Sequence, residues 1–233
     1  MIKAVIFDMY ETLITHFAGP LYFGSQMAEE IGLPEKKFRE IWDTTDDERT
    51  IGLLTLEEVV GRILRENGRY SAKLFCALVK KRIDTKVECF RHLHEEIIPM
   101  LQNLKEKGIL IGLISNCYYE EAEVIRESEL FPYFDVACLS CELGVMKPNV
   151  KIYEKCMEQL GVMAEECLYV GDGGNYELET AESIGMKAVQ AVWYLQEGTT
   201  QPAKRKKEFQ QAKSPLEVLN YLYREEGRMD YGF

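Results

Sequence analysis

The sequence predicts an α/β protein built on a doubly wound parallel sheet. Five short apolar runs are nearly continuous rather than alternating, which is typical of parallel strands covered on both faces. Helical patterns separate the later runs, and regular alternation of strand and helix favours a doubly wound sheet. With 233 residues, the chain is long enough for one large domain and a smaller inserted one.

The predicted elements follow one another in a simple order. The strands are expected at 4–7, 109–114, 136–139, 168–170 and 188–192. Helices are expected at 99–107, 120–127, 149–160 and 176–184, with a last one at 215–225. Gly108, Gly161 and Gly185 follow three of these helices, as expected for glycine just beyond a helix end.

The gap between the first and second predicted strands is unusually long. It runs from 17 to 90, far more than a single crossover helix needs. It contains helical stretches at 34–47 and 56–66 and no convincing strand. We therefore expect residues 1–16 and 91–233 to form the core and residues 17–90 to form a helical cap domain. The alternative is that these helices extend the main domain.

The net charge and the apolar segments of the chain indicate which binding partners and which cellular location to expect. The formal net charge of −11 argues against a broad surface for nucleic acid or membranes. A locally positive pocket for a small anionic molecule remains compatible with it. The chain starts with a strand-like run rather than a secretory signal, and no apolar stretch reaches membrane-spanning length. We therefore expect a cytoplasmic protein whose seven cysteines are reduced.

Polar side chains follow four of the predicted strands. Ligands of open α/β sheets bind at the carboxyl ends of the strands, so these side chains are candidates for one common site. The segments are Asp8-Met9-Tyr10-Glu11-Thr12, Ser115-Asn116, Lys147-Pro148 and Gly171-Asp172-Gly173-Gly174-Asn175-Tyr176-Glu177.

These four segments resemble the four motifs of the haloacid dehalogenase-like hydrolases. The first is Phe7-Asp8-Met9-Tyr10-Glu11-Thr12-Leu13, the second Ile114-Ser115-Asn116, the third Lys147-Pro148 with Tyr153 following, and the fourth Val170-Gly171-Asp172 with Glu177. The resemblance covers nearly the whole chain. It implies a Rossmann-like doubly wound parallel sheet core with a helical cap inserted between the first two motifs.

The resemblance also implies catalytic roles that agree with the chemistry of the residues. Asp8 would be the nucleophile that forms a covalent aspartyl intermediate. Ser115 would donate a hydrogen bond to a phosphoryl or carboxylate oxygen. Lys147 would keep Asp8 ionised and neutralise charge in the transition state.

A magnesium site and substrate contacts are implied in the same way. Asp8, Asp172 and the backbone carbonyl of Tyr10 would bind Mg²⁺, with Glu177 as a direct ligand or hydrogen-bonded to one. The substrate-binding candidates are Met9 and Tyr10, whose amides could cradle the transferred group, together with Thr12 and Asn116.

One position departs from the usual motif of the family phosphatases. They usually carry, two residues after the nucleophile, an aspartate that protonates the leaving oxygen, and Tyr10 stands there instead. The 2-haloacid dehalogenases also have a tyrosine at this position. Tyr10 could pack against the cap or donate a hydrogen bond from its hydroxyl to the substrate.

The acidic residues favour phosphatase chemistry. Two carboxylates ~4 Å apart repel by roughly 4 kcal/mol at an effective dielectric of ~20. Asp8, Asp172 and Glu177 therefore call for a divalent cation. We expect a Mg²⁺-dependent phosphatase for a small phosphorylated metabolite, weaker on alkyl monoesters than on acyl, aryl or anhydride phosphates. The alternatives are a 2-haloacid dehalogenase and a weakly active or non-catalytic binding module.

The cap should determine the choice of substrate. Arg39 and Arg49 are candidates for binding a substrate anion, although a solvated helix face would also explain them. Tyr22, Phe23 and Trp42 could line the pocket or form the core of the cap.

Overall fold

The computed structural model describes residues 1–196 and 204–222 and contains one six-stranded parallel sheet. The strand order is β3-β2-β1-β4-β5-β6. The strands are β1 (Ala4–Phe7), β2 (Leu110–Ser115), β3 (Val136–Leu139), β4 (Cys167–Gly171), β5 (Lys187–Ala191) and β6 (Gln210–Ala212). The predicted fold class is confirmed, and all five predicted strands are present within one or two residues of their expected ends.

Both faces of the sheet are covered, as the continuous apolar runs required. Val5 and Phe7 of β1 pack into one apolar layer, while Ala4 and Ile6 pack into the other. Alternate side chains of a strand point to opposite faces, so a strand between two layers is apolar throughout. The helices of these layers are α6 (Ile97–Glu106), α7 (Tyr119–Glu127), α8 (Ser140–Leu143), α9 (Val150–Leu160) and α10 (Glu177–Ser183).

The residues between β1 and β2 contain a group of helices that we call the helical insert. Its helices are α1 (Gly24–Ile31), α2 (Glu35–Trp42), α3 (Asp46–Thr50), α4 (Leu56–Glu66) and α5 (Ala72–Cys89). They surround an apolar cluster of their own that includes Met27, Phe38 and Ile63. Helix α4 begins at a capping box in which Thr55 and Glu58 each accept a hydrogen bond from the other's backbone N–H.

Several element boundaries differ from the expected ones for physical reasons. The predicted helix 34–47 is two helices, α2 and α3. Between them the Thr44 and Thr45 hydroxyls donate to the carbonyls of Glu40 and Ile41 at 2.8 Å, a contact that bends helices. Helix α6 begins two residues before Pro99, where the missing N–H of proline is tolerated in the first turn.

Three α-helices and one strand were not predicted, namely α1, α5, α8 and β6. Strand β6 has only three residues, and two of them are glutamines. Helix α5 has 18 residues, and its buried residues include Arg82 and Lys86. These charged residues interrupt the regular spacing of apolar residues by which an amphipathic helix is recognised in a sequence. Of the predicted final helix, 215–221 forms a 3₁₀ helix, and 223–225 lies outside the described residues. In the described ranges no helix combines the length and apolar composition needed to cross a membrane.

Candidate active site

The carboxyl ends of the central strands bring the predicted acidic residues together. Asp8 directly follows β1, and its backbone N–H donates to the carbonyl of Val170 in β4 at 2.9 Å. This bond extends the strand pairing and directs the Asp8 side chain to the same edge as Asp172. Asp8 is 6% exposed and Asp172 is 9% exposed, so both carboxyl groups are largely shielded from water.

Lys147 lies at the centre of this group. Its ammonium Nζ is 2.5 Å from Asp8 Oδ1 and 2.6 Å from Glu177 Oε2, and 3.2 Å from the hydroxyl of Tyr169. We call Asp8, Lys147, Asp172 and Glu177 the rim cluster. Burial opposes the charge on Lys147, but Asp8 and Glu177 raise the pKa of Lys147 above its usual value, so the ammonium form is stabilised.

Asn116 positions the loop that carries Lys147. Its side-chain Oδ1 accepts from the Lys147 backbone N–H at 2.8 Å, and its Nδ2 donates to the Lys147 carbonyl at 3.0 Å. The side chain thus pairs with both backbone groups of one residue. Asn116 therefore positions the backbone of Lys147, and its contact with substrate stays a prediction.

Glu177 is held by the glycine loop after β4. Its Oε1 accepts from the Gly173 N–H at 3.0 Å, and its Oε2 accepts from the Tyr169 hydroxyl at 2.9 Å. A Cβ on Gly171 would lie only 2.1 Å from Glu177 Oε1, so a larger residue there would displace the carboxylate. The Tyr153 hydroxyl donates to the Glu177 carbonyl at 3.2 Å.

The rim cluster has more acidic than basic groups. Asp8, Asp172 and Glu177 each place an oxygen within 4.8 Å of the others, against the single ammonium of Lys147. Burial raises the pKa of Asp8 to about 7, with Lys147 opposing the shift. Burial, followed by the charges of Glu177 and Asp8, raises the pKa of Asp172 well above its usual value. Three close carboxyl oxygens, once deprotonated, fit a hard divalent cation such as Mg²⁺.

The hydroxyls of Ser115 and Thr12 have different surroundings. The Ser115 hydroxyl at the end of β2 is buried and has no hydrogen-bond partner among the described residues. Such an unpaired group costs about 1–3 kcal/mol, and an oxygen of a bound anion would satisfy it. Thr12 is also buried, and its Oγ1 donates to Asp8 Oδ2 at 3.2 Å. The structure therefore shows Thr12 contacting Asp8, and its predicted contact with substrate stays a prediction.

The loop after β1 closes on itself. The Met9 carbonyl accepts from the N–H groups of Leu13 and Ile14 at 2.8 and 3.1 Å, and the Met9 side chain is fully buried. The Tyr10 ring stacks on His16 with centroids 4.4 Å apart. The Tyr10 hydroxyl is buried without a partner in the described part of the chain. Tyr10 thus packs against a neighbour and still has a hydroxyl hydrogen to donate.

Two cavities adjoin these residues. A cavity of about 290 Å³ is lined by Asp8, Lys147, Asp172 and Glu177 together with His16. A second, of about 930 Å³, lies between core and insert and shares Lys147 and His16 with the first. Sequence reasoning missed His16, because its only signal is its position shortly after the first motif.

The candidates in the insert are divided between cavity wall and interior. Arg39, Phe23 and Trp42 line the larger cavity. Arg49 is buried, and its guanidinium lies 3.9 Å from the Trp42 ring centroid and 4.4 Å from that of Tyr118. Arg49 is therefore not on a solvated face: its Nη2 donates to the Trp42 carbonyl at 2.8 Å and to Asp46 Oδ1 at 3.2 Å. Its contact with a substrate anion stays a prediction. The Tyr22 hydroxyl donates to Glu30 at 3.0 Å.

The sequence model of the haloacid dehalogenase-like hydrolases matches residues 2–185. The chain therefore belongs to this family, and its hydrolase class is established. It is 29% identical over 206 residues to a glyceraldehyde 3-phosphate phosphatase of Methanopyrus kandleri, covering 81% of this chain and 83% of the relative.

The chain also resembles a second curated relative and a solved structure. The chain is 29% identical over 201 residues to a putative pyrophosphatase PpaX of Clostridium perfringens, covering 80% of this chain and 82% of the relative. The crystal structure of a 2-haloacid dehalogenase from Pseudomonas syringae pv. Tomato DC3000 superposes with a TM-score of 0.67 at 22% identity, covering 95% and 98% of the two chains. This last likeness shows the shared fold.

Proposed function

We propose that the protein is a Mg²⁺-dependent phosphatase that acts on a small phosphorylated metabolite through an aspartyl-phosphate intermediate. The observation that carries the proposal is the acidic excess of the rim cluster, where Asp172 and Glu177 lie within 4.8 Å of the nucleophile Asp8. Displacing halide from carbon requires no metal, whereas phosphoryl transfer is assisted by a divalent cation. The phosphatase and pyrophosphatase names of the two relatives support the same class.

The residues of the chain can carry out both half-reactions. The Asp8 carboxylate attacks phosphorus, and the bond between phosphorus and the leaving oxygen breaks as the new acyl phosphate bond forms. Water then attacks that phosphorus and releases phosphate and the free carboxylate. Lys147 offsets the charge on the transferred group, and the Ser115 hydroxyl donates to one of its oxygens.

The metal would be held by Asp8, Asp172 and the Tyr10 carbonyl, with Glu177 next to it or as a further ligand. When bound, Mg²⁺ supplies positive charge to the phosphoryl oxygens. We also propose that residues 17–90 act as a cap over this site. Support comes from the cavity of about 930 Å³ that both the insert and the core line.

Tyr10 favours a second candidate, a 2-haloacid dehalogenase. The two are separated by assaying the protein on phenyl phosphate and on 2-chloropropionate, each with Mg²⁺ and with a chelator. We expect phosphate release that needs Mg²⁺ and is lost in Asp8→Asn. Halide release in the presence of chelator would instead establish the dehalogenase.

Metal binding can be measured without turnover. We expect Mg²⁺ at a concentration of one hundred times its Kd to stabilise the folded protein by about 2.7 kcal/mol. This stabilisation is measured as a rise in the melting temperature. The raised pKa values of Asp8 and Asp172 mean that protons must leave before the cation binds. Stabilisation should therefore be larger at pH 8 than at pH 6, and Asp172→Asn should remove most of it. An equal shift in Asp172→Asn would contradict this ligand assignment.

A further inference from the structure

Helix α5 places two buried cations on the wall of the larger cavity. Arg82 and Lys86 are one helical turn apart and are 3% and 2% exposed. Both line the cavity of about 930 Å³ that also reaches Asn116 and Lys147. The insert therefore contributes positive charge to a space that is continuous with the proposed catalytic residues.

Lys86 has two polar contacts. Its Nζ is 2.6 Å from Glu121 Oε1 and 2.6 Å from His16 Nε2. It also lies 5.2 Å from the ring centroid of Tyr10 and 5.9 Å from that of Phe23. An ammonium group has three N–H donors, and ring faces compensate a buried charge only in part.

Arg82 is also incompletely paired. Its Nη1 donates to the Tyr22 carbonyl at 2.9 Å, and its Nη2 donates to Glu121 Oε1 at 3.3 Å. Its Nε–H is buried and has no hydrogen-bond partner among the described residues. Glu120 Oε1, at 3.8 Å from Nε, is too far for a hydrogen bond. A buried guanidinium N–H without an acceptor costs about 1–3 kcal/mol.

We call Arg82, Lys86, Glu120, Glu121 and His16 the interface cluster. Burial opposes ionisation of Glu121, but Lys86 and Arg82 together lower the pKa of Glu121 to about 2. Burial and the adjacent Glu121 raise the pKa of Glu120 to about 7, and neither of its carboxyl oxygens has a hydrogen-bond partner within the described residues. Glu121 is therefore the carboxylate that both cations contact, and Glu120 makes no hydrogen bond to either of them.

From this geometry we propose that Arg82 and Lys86 form a second anion-binding subsite, which holds a carboxylate or phosphate group on the leaving part of the substrate. The inference rests on the proposed phosphatase function and narrows its substrate to a phosphate compound with a second anionic group. The unpaired Arg82 N–H and the Lys86 ammonium supply the donors. A purely structural ion pair between insert and core would not require the unpaired Arg82 donor.

Two reporter substrates that differ by one carboxylate test the subsite. In the wild-type protein we expect kcat/KM for 4-carboxyphenyl phosphate to exceed that for phenyl phosphate. Lys86→Met should lower kcat/KM for 4-carboxyphenyl phosphate about tenfold or more through KM, which corresponds to loss of one charge-assisted contact, and leave phenyl phosphate within about twofold. Pyrophosphate, whose leaving group is itself a phosphate, is assayed in the same way. Whichever of 4-carboxyphenyl phosphate and pyrophosphate loses more kcat/KM in Lys86→Met shows whether the subsite prefers a carboxylate or a phosphate group.

The controls separate binding from folding. Lys80→Met removes an exposed lysine of the same helix, paired with Asp84 at 2.5 Å, and should change neither substrate. Arg82→Lys keeps the positive charge but removes the unpaired Nε–H. It should weaken 4-carboxyphenyl phosphate selectively, and it provides the measurement if Lys86→Met fails to fold.

Equal losses on both reporters, or no loss on either, would overturn the subsite. If phenyl phosphate is not hydrolysed at all, the proposed function fails. The subsite is then tested by calorimetric titration with 4-hydroxybenzoate and with phenol. Binding of 4-hydroxybenzoate that Arg82→Lys or Lys86→Met weakens supports the subsite, and equal binding of the two ligands contradicts it.

Discussion

The rim cluster and the interface cluster are both buried groups of ionisable residues, and they differ in which kind is more numerous: acidic groups in the rim cluster and basic groups in the interface cluster. In the rim cluster three carboxyl groups surround the single ammonium of Lys147. In the interface cluster Arg82 and Lys86 share the Glu121 carboxylate at 3.3 and 2.6 Å, and Arg82 lies 3.8 Å from Glu120. A cation suits the first cluster and an anion suits the second. The pair therefore suggests a substrate with two negatively charged ends.

The clusters also differ in how the fold assembles them. Rim residues are fixed by the ends of neighbouring strands, as the bond from Asp8 N–H to the Val170 carbonyl shows. The interface cluster exists only where α5 of the insert packs against α7 of the core, through Arg82, Lys86 and Glu121. We expect damage to the rim to affect chemistry, and damage to the interface to affect packing and substrate choice.

The largest expected effect comes from Lys147→Met. This variant tests whether the rim residues act in catalysis or only in structure. Without the ammonium, the carboxylates of Asp8 and Glu177 repel each other and the charge of the transferred phosphoryl group is not offset. We expect kcat for phenyl phosphate to fall by about 10³-fold, measured under saturating Mg²⁺. A fall of less than tenfold in a protein with an unchanged far-ultraviolet circular dichroism spectrum would contradict the catalytic role of Lys147.

Glu121→Gln tests the interface cluster and should have its main effect on stability. It leaves Arg82 and Lys86 buried without their common carboxylate, and breaking a buried ion pair costs about 3 kcal/mol. The free energy of unfolding from urea titration measures the loss. The control is Glu142→Gln, which disrupts the exposed pair with Arg126 and should cost less than about 1 kcal/mol. Similar losses in the two variants would mean that the interface cluster does not fasten the insert.

The two clusters were not equally predictable from sequence. Each rim residue follows a strand, directly or after a short loop, and parallel strand ends meet at one edge, so Asp8, Lys147 and Asp172 could be grouped from their order in the chain. Arg82 and Glu121 lie 39 positions apart, on one helix that precedes β2 and another that follows it. Their meeting depends on how the helical faces pack, which no local pattern encodes.

Local signals failed for related reasons. The buried face of α5 includes Leu78, Arg82 and Lys86, so two of its buried positions read as solvent-facing in a hydrophobicity pattern. The break between α2 and α3 depends on threonine hydroxyls that compete for backbone carbonyls. In both cases polar side chains help to determine the structure, although composition alone would place them on the surface.

Tyr10 connects the two clusters, and its substitution gives the smallest of the expected effects. Its backbone lies two residues after Asp8, while its ring stacks on His16 and lies close to Lys86. Burial raises the pKa of the Tyr10 hydroxyl well above its usual value, which makes it a poor proton donor to an alkoxide leaving group. We expect Tyr10→Asp to increase kcat/KM for an alkyl phosphate such as glycerol 1-phosphate about tenfold, at the low end of the gain from a general acid.

The same change should leave phenyl phosphate within a few-fold, because a phenolate leaving group depends less on protonation. Tyr10→Phe is the matched control. It keeps the ring stacked on His16 and removes only the hydroxyl, so neither substrate should gain. An unchanged rate of alkyl phosphate hydrolysis in folded Tyr10→Asp would mean that proton donation does not limit this site. A comparable gain in Tyr10→Phe would mean that the hydroxyl itself hinders the substrate. The effect of Tyr10 on alkyl phosphates would then be steric and would not depend on proton donation.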